Sequence, residues 1–142
     1  VPELVSPLPL VTATDGSALK ADRTLLTTGS VIYDAVFVPG GAESAATLAR
    51  DGDAVHFVNE AYKHCKAIAA TGEGVDVLLA SQIVMQTGNG QSPDDALLTL
   101  GSVFADRHAS DLSGTATAFL NAIAQHRDWS RQTTPQGVPV PA

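Results

Sequence analysis

A few short segments of this chain hold residues able to do chemistry. The first is the turn Thr71-Gly72-Glu73-Gly74, which follows the apolar run Ile68-Ala69-Ala70. A sharp turn from strand into helix can present a nucleophile at the positive end of the helix, where a thiol's pKa is lowered. That chemistry needs Cys or Ser at the tip and a base beside it. Gly72 has no side chain, and Thr71 has no base nearby in sequence. A plain strand–helix turn is the better reading, with the Thr71 hydroxyl bonding locally and Glu73 favouring the helix end as an anion. No catalytic residue is expected.

Cys65 is the single cysteine, so no internal disulfide is available. It falls on the apolar face of a helical stretch and reads as a buried thiol acting as a small hydrophobe. His56, Glu60 and His64 stand at i, i+4 and i+8, along one polar helix edge. Two of them could ligate a metal, but nothing in sequence completes the set. A solvated or interface edge is the better reading, and no metal is expected. His126-Arg127-Asp128-Trp129 reads as a docking segment at a helix C-terminus. Gly40-Gly41 and Gly88-Asn89-Gly90 lack the spacing of a phosphate loop, and no Lys-Ser/Thr pair follows.

The elements that must position these residues follow from periodicity. Glu3 to Ser6 admits a short strand among three prolines, and Leu10 to Leu19 reads as a hairpin turning at Asp15-Gly16. Asp34 to Val38 has the pattern of a buried parallel strand, ending in Pro39-Gly40-Gly41. Asp53 to Cys65 is predicted to be a helix with Asp53 as N-cap; Ala54, Val58, Ala61, Tyr62 and Cys65 face inward, and His56, Asn59, Glu60, Lys63 and His64 outward. Residues 67–70 form a second short strand, and Val75, Leu78, Leu79 and Ile83 a second helical stripe. Thr87 to Asp95 is a loop by composition, with one or two strands expected around 101–105. A last helix starts near Ser110 or Asp111, with Leu112, Ala116, Phe119, Leu120 and Ile123 as its core stripe. The tail from Thr133 holds three prolines and is predicted to be irregular.

Strands alternating with helices imply a parallel-sheet α/β layer fold. The opening strand–helix pair of a flavodoxin-like domain is missing from the pattern. Val1-Pro2-Glu3-Leu4 has no initiator Met, basic segment or apolar signal, and is expected to be a cut inside a longer protein. The 142 residues fit one domain, and 44% hydrophobic residues suffice for a core. A formal net charge of -7, with scattered basic residues, argues against a nucleic-acid partner. No run approaches the ~20 apolar residues that span a bilayer. The compartment stays open between cytoplasmic and secreted.

Three stretches carry a resemblance to a known family. They are Tyr33-Asp34-Ala35-Val36-Phe37-Val38-Pro39-Gly40-Gly41, Asp51 through Lys66, and Ile68-Ala69-Ala70. Val11-Thr12-Ala13-Thr14-Asp15-Gly16 and His126 through Arg131 extend the match towards both ends. Together they resemble the C-terminal domain of large-subunit monofunctional haem catalases. That domain in turn is similar to the type-1 glutamine amidotransferase-like, PfpI-like superfamily. The resemblance implies a flavodoxin-like three-layer fold over residues 1–132, a Pro-rich tail over 133–142, and Gly72 at the nucleophile position of the superfamily. It also implies that the haem and the peroxide chemistry belong to a core domain outside this chain. The implied partners are that core and the neighbouring subunits of a tetramer. A structural, stabilising role is the leading expectation. A chaperone-like holdase binding unfolded clients is the alternative, and a residual hydrolase the weakest.

Overall fold

The computed structural model describes residues 1–81, 83, 98–108 and 110–133. The predicted loop at 87–95, the Gly88-Asn89-Gly90 run and the tail beyond Thr133 lie outside these residues. The chain opens with small strands that stand apart from the main sheet. Strand β1 (Val5–Ser6) pairs in parallel with β4 (Arg23–Thr24). Between them β2 (Leu10–Thr12) and β3 (Ala18–Lys20) form the expected hairpin. Its loop is wider than a two-residue turn. Ala13 N–H donates to Ser17 O at 2.8 Å, and Gly16 alone takes a positive φ, at 84°.

The central sheet holds β5 (Ala35–Val38), β6 (Ala67–Thr71), β7 (Leu98–Leu100) and β8 (Val103–Asp106) in the order β5-β6-β8-β7. As predicted, β5 and β6 run parallel, with Ala35 beside Ala67 and Val38 beside Ala70. Strand β8 continues the parallel set, while β7 turns back antiparallel at the far edge. Alternation along each strand sends successive side chains to opposite faces. Val38, Ile68, Ala70, Val103 and Ala105 face one layer, built from α1 (Ala42–Arg50), α2 (Gly52–Lys63) and α3 (Val75–Ala80). Ala67, Ala69 and Phe104 face the other, where among the described residues α4 (Ser113–Ala124) packs. A short α5 (Ser130–Thr133) follows. No described helix is long and apolar enough to cross a membrane.

Several expectations need correction. Strand β5 is an edge strand, not a buried one: Val38 is buried, but Phe37 is 52% exposed. The N-cap of α2 is Asp51, whose Oδ1 accepts from Asp53 N at 2.9 Å and Ala54 N at 3.0 Å. The helix stops at Lys63, so Cys65 sits past it, in a left-handed turn at φ 59°. Asn59, expected outside, is buried. In α4 the stripe is partly shifted: Phe119 and Ile123 pack on the sheet as predicted and Thr115 and Ala122 are buried, whereas Leu112, Ala116 and Leu120 are exposed. Helix α1 has no counterpart in the predicted elements. Its N-cap is Gly41, with no side-chain cap, so the usual start signal is lacking.

Candidate functional site

The elbow between β6 and α3 is the place where the fold could present a nucleophile. Thr71 ends the strand in extended conformation, and Gly72 takes φ 53°, the left-handed region that glycine enters without strain. A single 3-10 turn then leads into α3. The turn Pro39-Gly40-Gly41 at the end of β5 packs directly on this elbow. A Cβ added at Gly72 would lie 3.3 Å from Gly40 Cα, and one added at Gly40 would lie 3.3 Å from Thr71 O. Gly74 is tighter still: a Cβ there would fall 2.6 Å from the carbonyl oxygens of Val38 and Pro39. Backbone therefore meets backbone where a substrate would need room.

Glu73 closes the arrangement. Its Oε2 accepts from Gly41 N–H at 2.9 Å. That hydrogen bond is the main reason its carboxyl lies below the usual range. The carboxylate thus caps α1 from the neighbouring turn, at the helix end that favours an anion. Thr71 is buried, and His56 on α2 and His64 just past its end both stand exposed. His126 lies 3.6 Å from Asp34 in an exposed pair. The elbow gathers a glycine, a buried hydroxyl and a bonded carboxylate. These can hold two turns together.

The polar edge of α2 is used differently from a metal site. Glu60 Oε2 accepts from Ser30 N at 2.7 Å and Ser30 Oγ at 2.9 Å. Burial raises its pKa, but the two Ser30 bonds outweigh this, with help from His56 and His64, and the carboxyl ends below its ordinary value. Among the described residues no group of three or more His, Cys, Asp or Glu side chains is placed to hold an ion.

Cys65 is buried, with 2% exposure. Around it the His126–Arg131 run acts as a clasp on the α2–β6 turn. Arg127 Nη1 donates to His64 O at 2.6 Å, Asp128 N–H to Cys65 O at 2.8 Å, and Arg131 to Lys66 O. The Arg131 guanidinium also lies 4.8 Å from the centre of the Tyr62 ring. Sequence reasoning identified this segment as docking but missed its counterpart, Lys66. Lys66 is 1% exposed, and its Nζ donates to Ser30 O at 2.9 Å, Val31 O at 2.6 Å and Tyr33 O. Burial lowers its pKa. A lysine at the start of an apolar strand carries no periodic signal for such burial.

Comparison with known proteins adds the following. A family model for the C-terminal domain found in long catalases matches residues 8–133. The chain is 42% identical over 137 residues to Catalase HPII of Mycobacterium avium, covering 94% of this chain and 19% of that protein. It is 37% identical over 132 residues to Catalase-1 of Neurospora crassa, covering 86% of this chain and 18% of that protein. The chain thus spans about a fifth of the length of these relatives. Among solved structures, a two-domain protein from Anabaena variabilis containing DJ-1/ThiJ/PfpI-like and ferritin-like domains aligns with a TM-score of 0.66 at 27% identity, covering 81% of this chain and 37% of that one. A ThiJ/PfpI domain protein from Brachyspira murdochii aligns with a TM-score of 0.69 at 18% identity, covering 87% of this chain and 79% of that one. The second likeness is one of fold.

Proposed function

Because the chain belongs to the family of C-terminal domains found in long catalases, we propose that it is the non-catalytic domain of such an enzyme, stabilising the parent's fold and tetramer. Residues 1–132 form the domain in this reading, and 133–142 a tail. The parent dismutates hydrogen peroxide to water and oxygen in a haem core that lies elsewhere in the polypeptide. The described residues around His56 do not fit haem: Asp53 and Glu60 line the same surface hollow as Leu25, Leu26 and Phe57, and their charge disfavours an apolar macrocycle there.

The observation that carries the reading is the elbow. In this reading Gly72 takes the nucleophile position; it has no side chain and packs on Gly40, while Glu73 is bonded to Gly41. Covalent catalysis there lacks both its nucleophile and its base, which also speaks against a residual hydrolase. The test is deletion of this domain from the full-length parent. The expected result is peroxide turnover per haem within about twofold of the intact enzyme, with a lower melting temperature and a weaker tetramer. Lost turnover at full haem content and unchanged stability would overturn it.

One observation favours a second reading, a holdase module. Phe37 and Leu120 expose 52% and 64% of their surface on the less covered side of the sheet, and such apolar surface can bind unfolded chains. A stoichiometric dose of the chain should then slow aggregation of an unrelated client.

A further inference from the structure

We infer that the β2–β3 hairpin is a docking arm that packs on the catalase core of its own polypeptide through Leu10 and Leu19. The inference rests on the family reading above and names the surface that makes the contact. Strands β2 and β3 bond to each other and, among the described residues, to no other strand. Every residue of the two strands except Val11 is exposed. Residues paired across the ribbon share a face. Leu10 therefore lies with Lys20, Thr12 and Ala18 on one side, and Val11 with Leu19 on the other. Leu10 is 59% exposed and Leu19 48%, and Leu8, on the approach to β2, is 65% exposed. A two-stranded ribbon is marginal alone in water and needs a third strand or a packed face. Leucines on opposite faces call for a cleft rather than a flat surface.

The root of the arm is fixed, whereas its blade is bare. Ala21, just past β3, is buried, and its N–H donates to Pro9 O at 3.0 Å. Asp22 Oδ2 accepts from Leu4 N–H at 2.8 Å. Glu3 Oε2 accepts from Arg23 Nε at 3.1 Å and from Tyr33 Oη at 2.7 Å. The tip is closed as well, since Asp15 Oδ1 accepts from Ser17 N–H at 2.8 Å. Docking such an arm orders little new chain, which keeps its cost low. The edges are blunted: Pro9 stands at the entry to β2, and Lys20 ends β3. Proline and lysine at an edge discourage strand addition. The arm offers its leucines, not its ladder.

Size decides the occupant. Stable association between separate chains takes about 20–30 residues a side. Two strands of three residues and an adjoining leucine fall well short of that. A second copy or a free client would be held too weakly by this surface. A segment of the same polypeptide needs much less, because tethering supplies an effective concentration on the order of millimolar. The catalase relatives keep about four fifths of their length outside the match. In the family reading, that remainder holds the core on which the arm packs.

The test uses the full-length polypeptide that carries this chain. A photo-reactive leucine analogue is placed at Leu10 or at Leu19, and cross-linked peptides are identified by mass spectrometry. The expected result is cross-links from both positions to the core of the same polypeptide, with no change of subunit mass on a denaturing gel. Cross-links to the strand–helix pair that opens this domain, to a second copy of the hairpin, to another subunit or to an added unfolded client overturn the inference. So does the absence of any cross-link. Hydrogen exchange over residues 10–20 gives a second readout. A covered ribbon should exchange at least about 100-fold slower than unstructured chain, and a bare one within about tenfold of it. Fast exchange in a polypeptide that decomposes peroxide normally would sink this inference and leave the family reading intact. A full-length polypeptide that decomposes no peroxide would overturn the family reading, and the named partner with it.

Discussion

The two faces of the central sheet are built to different standards. On the α1–α3 side, Ile68, Ala70, Val75, Leu78 and Ala105 are fully buried and form one continuous core with Val58, Ala61 and Tyr62. On the α4 side the strand residues are mostly small, namely Ala35, Ala67 and Ala69, and the apolar layer reaches solvent at Phe37 and Leu120. Burial of apolar area, not the count of apolar residues, sets the stabilisation. Both faces carry apolar side chains, yet among the described residues only one is closed. Among the described residues the α1–α3 face holds the larger core, and the α4 face leaves apolar surface at Phe37 and Leu120.

Paired truncations test this contrast with the largest expected effect. Leu78→Ala or Ile68→Ala removes a fully buried side chain and should cost about 2–5 kcal/mol in denaturant unfolding. Leu120→Ala, on the open face, should stay within about 0.5 kcal/mol. Equal losses would erase the distinction between the faces.

Next in size are the glycines of the elbow. Gly74→Ala puts a methyl 2.6 Å from two carbonyl oxygens and should cost about 1–3 kcal/mol, because backbone must move. Gly72→Ala has more room but stays in the left-handed region, for a cost of about 1–2 kcal/mol. Gly114→Ala, with nothing within 4 Å, serves as the open-space control and should be neutral or slightly stabilising. Melting curves of the three variants give the ranking, and a Gly74→Ala protein as stable as Gly114→Ala would contradict the packed elbow. Asp51→Ala, which removes two bonds at the start of α2, should cost about 1 kcal/mol in the same assay.

How much of this was legible follows from what periodicity encodes. The β6 strand, the elbow and the inner face of α2 were readable because Ile68-Ala69-Ala70, Gly72 and the Ala54–Val58–Ala61 spacing are local signals. The edge position of β5 was not, since Ala-Val-Phe-Val reads alike in the centre or at the rim, and only tertiary pairing decides. Helix α4 was placed, with its stripe partly shifted. Its residues are apolar nearly all round, so a stripe through Leu112, Ala116 and Leu120 looked as good as the one through Thr115 and Ala122, where Thr115 Oγ1 donates to Asp106 Oδ2 at 2.9 Å. The polar edge of α2 reads as solvated or interface because Glu60's partner, Ser30, lies 30 residues away. The same distance hid Lys66, whose acceptors at residues 30, 31 and 33 are backbone carbonyls with no sequence signature.

The smallest effect expected is one of pH, and it tests whether the α2 edge contributes to the closed side. Glu60 is pulled up by burial but held net below its ordinary pKa by two bonds from Ser30. In the unfolded chain it returns to the ordinary value, so the unfolded state binds the proton first as pH falls. A group depressed on folding contributes stability that is full above its unfolded pKa and is lost as pH drops through the folded one. That window lies at and below about pH 4.3. Glu60→Gln keeps the shape and removes the titration. Its deficit against the parent sequence should be present at pH 7 and shrink in acid. Unfolding free energies at pH 7 and pH 3 decide the matter. A Glu60→Gln deficit that stays constant across both would mean that the Ser30 bonds hold the carboxyl group equally well with its proton on. The α2 edge would then owe its place to shape alone.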